Sequence, residues 1–581
     1  MRKTKILATL GPATKDVATM KLMIKNGLDA ARVNFSHGTY ESHTKIINML
    51  KKAREEMDKP IPIVLDTKGP EIRIKNFESD KIYLEQGAAF TLTTRDVKGT
   101  QEIVSVTYED LPKDLQVGSR VLIDDGLLEL KVTGLTKTDV KCVLVNSGFI
   151  SSRKGINIPD VYVNLPSLTE QDIEDIKFGI KMEVDFVAAS FVRTASDIQN
   201  IRKVLEDNGG RHIHIIAKIE SREGVDNIDS ILDVADGIMV ARGDLGVEIP
   251  PEEVPIVQKN LIANCNRVGK PVITATHMLE SMQSNPRPTR AEANDVANAI
   301  FDGSDVIMLS GETASGQYPV ESVAMMARIA TEVERTFDYS KILHSNLKRN
   351  VTNAISAAAV KTAAELEAAC IVPITDSGFA SRMVSRCRPA CPILAITADE
   401  CVCRQLNLSW GCMPVLSEPF IGDSEVFDIA EEMAMKHGLA KAGETIISVA
   451  GVPVGVAGTT NTMKVRTVGN VLAQGDGNKR GVVQGITRVF KTPDVSERPY
   501  FEHGDIIICT QTSDKMMEYI KKAGAIVIGS WEHTETSHAQ TVAKALDIPL
   551  LKVNVRAVDF VAPGLPVTVD TDSGLLINGY K

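Results

Sequence analysis

The stretch IHIIAKIESREGVDNIDSILDVADGIMVARGD, residues 213–244, decides the fold. It opens on an apolar run, IHIIAKIE (213–220), and closes on a second, GIMVARGD (237–244), with a helix-length segment between them. Runs that are nearly all apolar and alternate with helical stretches are what parallel strands buried on both faces require. Six more runs lie to either side: KILATL (5–10), AARVNF (30–35), IPIVLD (61–66), VDFVAASFV (184–192), PVITATHM (271–278) and DVIMLSGE (305–312). Helical patterns such as SDIQNIRKVLEDNG and PEEVPIVQKNLIANCNRVGK separate them and carry Gly at or next to their ends, close to where a C-cap belongs. Eight such units predict an α/β fold built on a (β/α)₈ barrel, residues 1–70 and 166–344.

One connection is too long for this pattern. Residues 71–165 read as alternating runs with Gly and Asp-Gly turns, the signature of hairpins. They predict a β-barrel domain inserted after the third strand, placed as a lid. Beyond residue 344 an Ala-rich helical segment and short apolar runs predict a further α/β domain, 345–473. The polar, glycine-rich QGDGNKRGVVQG (474–485) reads as a linker. The runs in 486–581 predict an extra small C-terminal α/β domain.

Composition narrows the function. The chain has 581 residues, 43% hydrophobic and 24% charged, with a net charge of −10 and 4% aromatics. This excludes disordered, collagenous and disulfide-stapled chains, and it argues against nucleic acid as a partner. No run of 18 apolar residues suggests a membrane span, and the first residues lack the apolar core of a signal peptide. A cytoplasmic protein with reduced thiols is expected from its nine cysteines. Cys387, Cys391, Cys401, Cys403 and Cys412 fall close together. A zinc site is one reading, but they do not form two CxxC pairs; small buried hydrophobes is the other.

Barrel chemistry sits at the C-terminal ends of the strands. Those ends carry Arg32, Asn34, Ser36 and His37; Asp66, Thr67, Glu71 and Arg73; Lys218 and Glu220; Ala241, Gly243 and Asp244; Thr276 and His277; and Glu312. Glu220 and Asp244, on adjacent strands, suit a divalent cation such as Mg²⁺, which takes one or two carboxylates plus substrate oxygens; an ion pair with Lys218 or Arg242 is the structural alternative. Lys218, Arg32 and Arg73 suit an anionic, phosphorylated substrate. Asn34, Ser36, Asp66 and Thr67 suit a second, monovalent cation, or ordinary caps and turns. Gly243-Asp244-Leu245-Gly246 reads as a glycine turn before a helix, with free backbone N–H groups for a carboxylate or phosphate.

The motifs KILATLGPAT, ARVNFSHG, LDTKGPEIR, AKIESREGV, MVARGDLGVEIP, PVITATHMLESM, NPRPTRAEANDVANAIFDGSD and MLSGETASGQYPVE resemble pyruvate kinase. They occur in family order across the whole predicted barrel. The resemblance implies phosphoryl transfer from phosphoenolpyruvate to ADP, giving pyruvate and ATP, with Mg²⁺ (or Mn²⁺) and K⁺. It implies that Glu220 and Asp244 hold the divalent ion, and Asn34, Ser36, Asp66 and Thr67 the K⁺, with Glu71 at the position whose acidic form accompanies K⁺ dependence. Arg32 and Arg73 would hold the phosphoryl group, with Lys218 beside it, and Ala241, Gly243 and Asp244 would seat the substrate carboxylate. Thr276 would serve enolate protonation, and Arg32 and His37 the nucleotide. His277 departs from the family's usual Gln.

Thr375, Asp376, Ser377, Gly378 and Ser381 resemble the family's effector loop, which implies a sugar-phosphate or nucleotide effector; simple N-capping is the alternative. Phe379 stands where a polar residue is usual. A homotetramer is implied by resemblance alone. The tail resembles the extra domain of some bacterial pyruvate kinases, similar to the phosphohistidine domain of phosphoenolpyruvate-using enzymes. Its motif is Thr536-Ser537-His538-Ala539, with His538 a nucleophile candidate by analogy and a purely structural domain the competing reading. On residue chemistry alone two rivals stand: a metal-dependent pyruvate aldolase or lyase, and an inactive regulatory protein.

Overall fold

The structure is a computed structural model that describes all residues except 160, 340–349, 420–421, 423–424, 454–459, 496–499, 530–537, 554 and 581. Eight parallel strands close into a barrel: β1 (Lys5–Leu10), β2 (Ala30–Asn34), β3 (Ile63–Asp66), β4 (Phe186–Ala189), β5 (His214–Ile219), β6 (Gly237–Ala241), β7 (Val272–Ala275) and β8 (Val306–Leu309). Each pairs with its neighbours in chain order, and β8 closes on β1 with Lys5 opposite Val306. The expected strands are all present.

Side chains alternate along each strand. Ala30, Val64, Phe186, Ala188, Ile216, Met239 and Ile273 share the cluster that fills the lumen. Ala31, Leu65, Val187, Ala217, Ile219 and Val240 pack outward into the larger cluster under the helices. The helix Val254–Val268 ends on Gly269 in the left-handed conformation, φ +75°, as the terminal glycine predicts.

The insert is a seven-stranded sheet, ordered Ile72–Arg73, Gly155–Asn157, Arg120–Ile123, Leu128–Leu135, Asp139–Leu144, Ala89–Thr93 and Ile103–Ser105. Its edges meet: Ile74 bridges Val106, Lys75 N donates to Ser105 O at 2.7 Å, and Thr107 N donates to Arg73 O at 2.9 Å. The sheet therefore closes into the expected barrel, around Ile74, Phe90, Leu92, Val104 and Leu130.

The chain divides into two compact units, one of Met1–Val360, Pro373–Phe420 and Gly455–Asn461, the other of Lys361–Val372, Ile421–Val454 and Thr462–Lys581. The stretch 345–473, expected as one domain, contributes to both. In the first unit, Ile393–Thr397 and Cys412–Leu416 pair in parallel. In the second, Thr445–Ala450 and Thr462–Thr467 pair antiparallel.

The second unit also holds a closed seven-stranded barrel with parallel neighbours at Val482–Phe490, Ile506–Cys509, Ala525–Gly529 and Leu550–Val553. This corrects the reading of 474–485 as a linker, because those residues end one strand of this barrel, Val471–Gly477, and begin another, Val482–Phe490. The glycines serve close backbone approach instead. A Cβ on Gly475 would stand 1.8 Å from Lys552 O, and one on Gly477 2.3 Å from Thr571 O.

Candidate functional site

The site grows from the alternation of the barrel strands. Arg32, Asp66, Ser190, Lys218 and Ala241 each stand two residues beyond a lumen-filling side chain, Ala30, Val64, Ala188, Ile216 and Met239. They form the next layer up, at the C-terminal mouth.

Lys218 is the hub. Its ammonium donates to Ser190 Oγ at 2.7 Å and lies 2.9 Å from Glu220 Oε1 and 3.2 Å from Asp66 Oδ1. Burial works to lower its pKa, but Asp66 and Glu220 outweigh burial and hold the ammonium above its ordinary range. Asp66 is 1% exposed. Burial pushes its carboxyl up, yet Arg32 and Lys218 together bring it below the usual range. The Arg32 guanidinium donates to Asp66 Oδ2 and, at 2.9 Å, to Thr9 Oγ1.

Glu220 and Asp244 are different. Burial pushes Glu220 up to about 7, opposed by Lys218 and reinforced by Asp244. Burial also raises Asp244, and Asp125 of the insert and Asp66 add to it. The mouth thus carries more buried negative charge than its own cations balance, and that imbalance fits a divalent cation at Glu220 and Asp244. Among the described residues no group of three or more His, Cys, Asp or Glu side chains converges as a full metal cage. Substrate oxygens or water would have to complete the shell.

The expected monovalent cluster is only partly drawn together. Asn34 and Asp66 are register partners on β2 and β3, and Asn34 Oδ1 accepts from Ser36 N at 3.1 Å. Both Asp66 oxygens already face Arg32 and Lys218. The Thr67 hydroxyl turns toward β4, accepting from Ser190 N at 3.2 Å.

Gly243 and Asp244 stand in a short helix, Arg242–Glu248, that starts directly after β6. This replaces the expected glycine turn before a helix. The Gly243 N–H is not free either: it donates to Thr276 Oγ1 at 2.9 Å, and that hydroxyl donates to Ala275 O at 2.7 Å. Thr276 and His277 are consecutive left-handed residues, φ +65° and +54°. Such backbone costs about 1–3 kcal/mol per residue and persists only where neighbours enforce it. Arg242 enforces it by donating to Ala275 O and Thr276 O while pairing with Asp295 at 2.8 Å.

Arg73 lies on the insert, where its guanidinium is held by Glu71 and by Arg153 O at 2.8 Å. It lines a cleft of about 620 Å³ together with His37, Glu71, Asp125, Lys154 and Asp244. Insert and barrel therefore share one cavity.

In the candidate effector loop, Gly378 is left-handed, φ +76°, at the start of the helix Phe379–Ser385. Asp376 and Ser377 are exposed and Thr375 is buried. Ser381 is fully buried, and among the described residues its hydroxyl has no hydrogen-bond partner, so it stands apart from the exposed face of that loop. In the second unit His538 Nδ1 pairs with Thr512 Oγ1 at 2.9 Å and Nε2 with Asp514 Oδ1 at 3.2 Å. Thr536 and Ser537 lie outside the described residues. The clustered thiols form no disulfide, and burial raises those of Cys401, Cys403 and Cys412 to about 12, so they stay protonated.

Sequence reasoning missed Ser190, Phe191 and the Arg242–Asp295 pair. Ser190 had a signal: a polar residue at the inward phase of an apolar run.

A family model described as pyruvate kinase, barrel domain, matches residues 1–323, and one described as pyruvate kinase, alpha/beta domain, matches 353–466. The chain belongs to the pyruvate kinase family. A third model, PEP-utilising enzyme, mobile domain, matches 501–574. The chain is 46% identical to pyruvate kinase of Sporosarcina psychrophila over 586 residues, covering 100% of this chain and 99% of that one. It is likewise 46% identical to pyruvate kinase of Geobacillus stearothermophilus over 584 residues, with the same coverage. A pyruvate kinase crystal structure from Cryptosporidium parvum aligns with a TM-score of 0.77 at 40% identity, covering 80% of this chain and 96% of that one. The protein is an enzyme, a transferase of a family that generally uses Mg²⁺ and K⁺. Among the described residues no helix is long and apolar enough to cross a membrane.

Proposed function

We propose that the pyruvate kinase reaction, phosphoryl transfer from phosphoenolpyruvate to ADP giving pyruvate and ATP, runs at the barrel mouth with Lys218 at its centre. The observation that carries this is a buried ammonium fixed by Asp66, Glu220 and Ser190 beside two under-neutralised carboxylates. Phosphoryl transfer is mostly positioning and charge neutralisation. A cation about 4 Å from developing charge is worth roughly 4 kcal/mol at an effective dielectric near 20, or about 10³ in rate. Lys218 is already locked in place, so it needs no reorganisation as charge develops.

In this reading Arg32 and Arg73 orient the phosphoryl group from the barrel and the insert. Gly243 and Ala241 flank the substrate carboxylate, and His37 faces the nucleotide. Glu220 and Asp244 would hold Mg²⁺, which when bound neutralises phosphate charge and polarises the transferring group. Asn34, Ser36, Asp66 and Thr67 would hold K⁺, and Glu71 fits that dependence. Thr276 Oγ1 is fixed by the Gly243 N–H; a Thr hydroxyl is too weak an acid to protonate an enolate alone, so it relays a proton from water. The loop at Thr375–Ser381 takes a sugar-phosphate or nucleotide effector in a cytoplasmic homotetramer. The test is pyruvate formation from phosphoenolpyruvate and ADP with both ions, then with each withheld. Turnover that needs both ions is expected. Turnover without K⁺ would void the monovalent site, and no turnover under any condition would overturn the reading.

A further inference from the structure

The loop Ser190–Arg193, which leaves β4, touches both chain crossings that join the insert to the barrel. On the outgoing crossing, Ser190 Oγ donates to Thr67 O at 2.7 Å. Gly69 is left-handed there, φ +74°, and a Cβ on it would meet Ser190 Cβ at 2.8 Å and Phe191 Cδ2 at 2.9 Å. On the return crossing, the Arg193 guanidinium donates to Val163 O and Leu165 O, both at 2.7 Å. Arg193 is itself fixed: its N–H donates to Asp197 Oδ2 at 2.9 Å, and its carbonyl accepts from Asn227 Nδ2 at 3.0 Å.

The same loop also points inward. Ser190 Oγ accepts from Lys218 Nζ at 2.7 Å, and Phe191 N donates to Glu220 Oε2 at 2.6 Å. Phe191 does so from a left-handed conformation, φ +55°, which a bulky residue rarely adopts. Strained backbone of this kind holds only where contacts on both sides fix it.

We propose that Ser190–Arg193 is the fulcrum of the insert, and that Arg193 is a positioning residue coupling the insert's attitude to Lys218 and Glu220. The proposal rests on the role given above to Lys218. Swinging the insert about its two crossings moves Arg73 and Lys154, both of which line the cleft. The carbonyls that Arg193 grips move with the return crossing, and the loop carries that movement to the hydroxyl and N–H that position Lys218 and Glu220. Lid position and catalytic geometry are thereby set together.

The experiment compares the full-length parent with Arg193→Met, Arg193→Lys, Ser190→Ala and the Arg193→Met/Ser190→Ala double variant. It reads kcat, KM for ADP, thermal unfolding, and amide exchange at Phe191 and across residues 161–169. A misplacement of about 1 Å costs about 10²-fold. Arg193→Met is expected to lower kcat by about that factor at an unchanged unfolding temperature, to speed exchange at Phe191, and to show no further loss when combined with Ser190→Ala. Arg193→Lys, which reaches one carbonyl, is expected to recover part. Parental kcat in Arg193→Met, or losses that multiply in the double variant, would overturn the proposal. If Arg193→Met does not fold, Arg193→Lys decides: a reduced kcat with native stability supports the fulcrum, and parental kcat overturns it. If the parent itself lacks turnover, the Lys218 reading fails separately. Phe191 exchange then decides the coupling alone: accelerated in the variant it supports the fulcrum, unchanged it overturns it.

Discussion

The two ends of the barrel both bury charge, but they treat it in opposite ways. At the floor a single pattern repeats four times. Asp29, Asp185, Asp236 and Asp305 each stand immediately before an even-numbered strand. Each accepts the N–H of a residue at the start of the preceding odd strand: Ile6, Ile63, Ile215 and Val272, at 2.7 to 2.9 Å. Each also pairs with an arginine: Arg2, Arg404, Arg202 and Arg388. Each of these four carboxylates is thus matched by a cation and a backbone donor, although burial still outweighs Arg404 and holds Asp185 above the usual carboxylate range. At the mouth one lysine serves two carboxylates, Glu220 and Asp244 are left under-neutralised, and Phe191, Thr276 and His277 hold strained backbone. Balanced charge marks the end that holds the barrel together. Unbalanced charge marks the end that waits for a ligand.

Breaking a floor pair is the larger test of this contrast. Arg388 pairs with Asp305 at 2.8 Å, and their side chains are 7% and 8% exposed. Removing one member of a buried pair leaves the other uncompensated and costs about 3–5 kcal/mol. Arg388→Met is therefore expected to lower the urea midpoint markedly while leaving kcat near the parent value in conditions where the protein stays folded.

A smaller, pH-dependent effect sharpens the contrast. Burial lowers the pKa of His214, at the floor end of β5, from 6.5 to about 4, against the opposing pull of Asp236. The folded state therefore binds this proton less readily than the unfolded one. Stability from His214 is fully present above about 6.5 and is lost as pH falls toward 4, for a total of about 3 kcal/mol. Unfolding by urea at pH 7.0 and 4.5, in the parent and in His214→Gln, checks it. The parent is expected to lose more stability than the variant over that interval, and equal losses would remove His214 from the account.

The barrel was legible in the sequence because strands buried on both faces leave uninterrupted apolar runs. The mouth was legible because polar residues at run ends have few other reasons to recur on one rim. Other features were hidden by the local look of the chain. Gly475 and Gly477 read as a flexible link because their need for space comes from Lys552 and Thr571, far away in sequence. Gly243 read as a turn because a helix beginning directly after β6 leaves no linker signal. Ser190 looked like an incidental polar residue until its inward phase put it beside Lys218. The aspartates of the floor were visible one at a time; their fourfold pattern needs the register between strands.

The most direct measurement pairs the two ends: kcat and unfolding midpoint for Lys218→Met and Arg388→Met, side by side. Lys218→Met is predicted to lose about 10³ or more in kcat under conditions where it stays folded, even though it also leaves Asp66 and Glu220 without their lysine and lowers the midpoint, and Arg388→Met to lose stability with near-parental kcat. A Lys218→Met protein that turns over like the parent, or an Arg388→Met protein that loses turnover as severely while equally folded, would contradict the account.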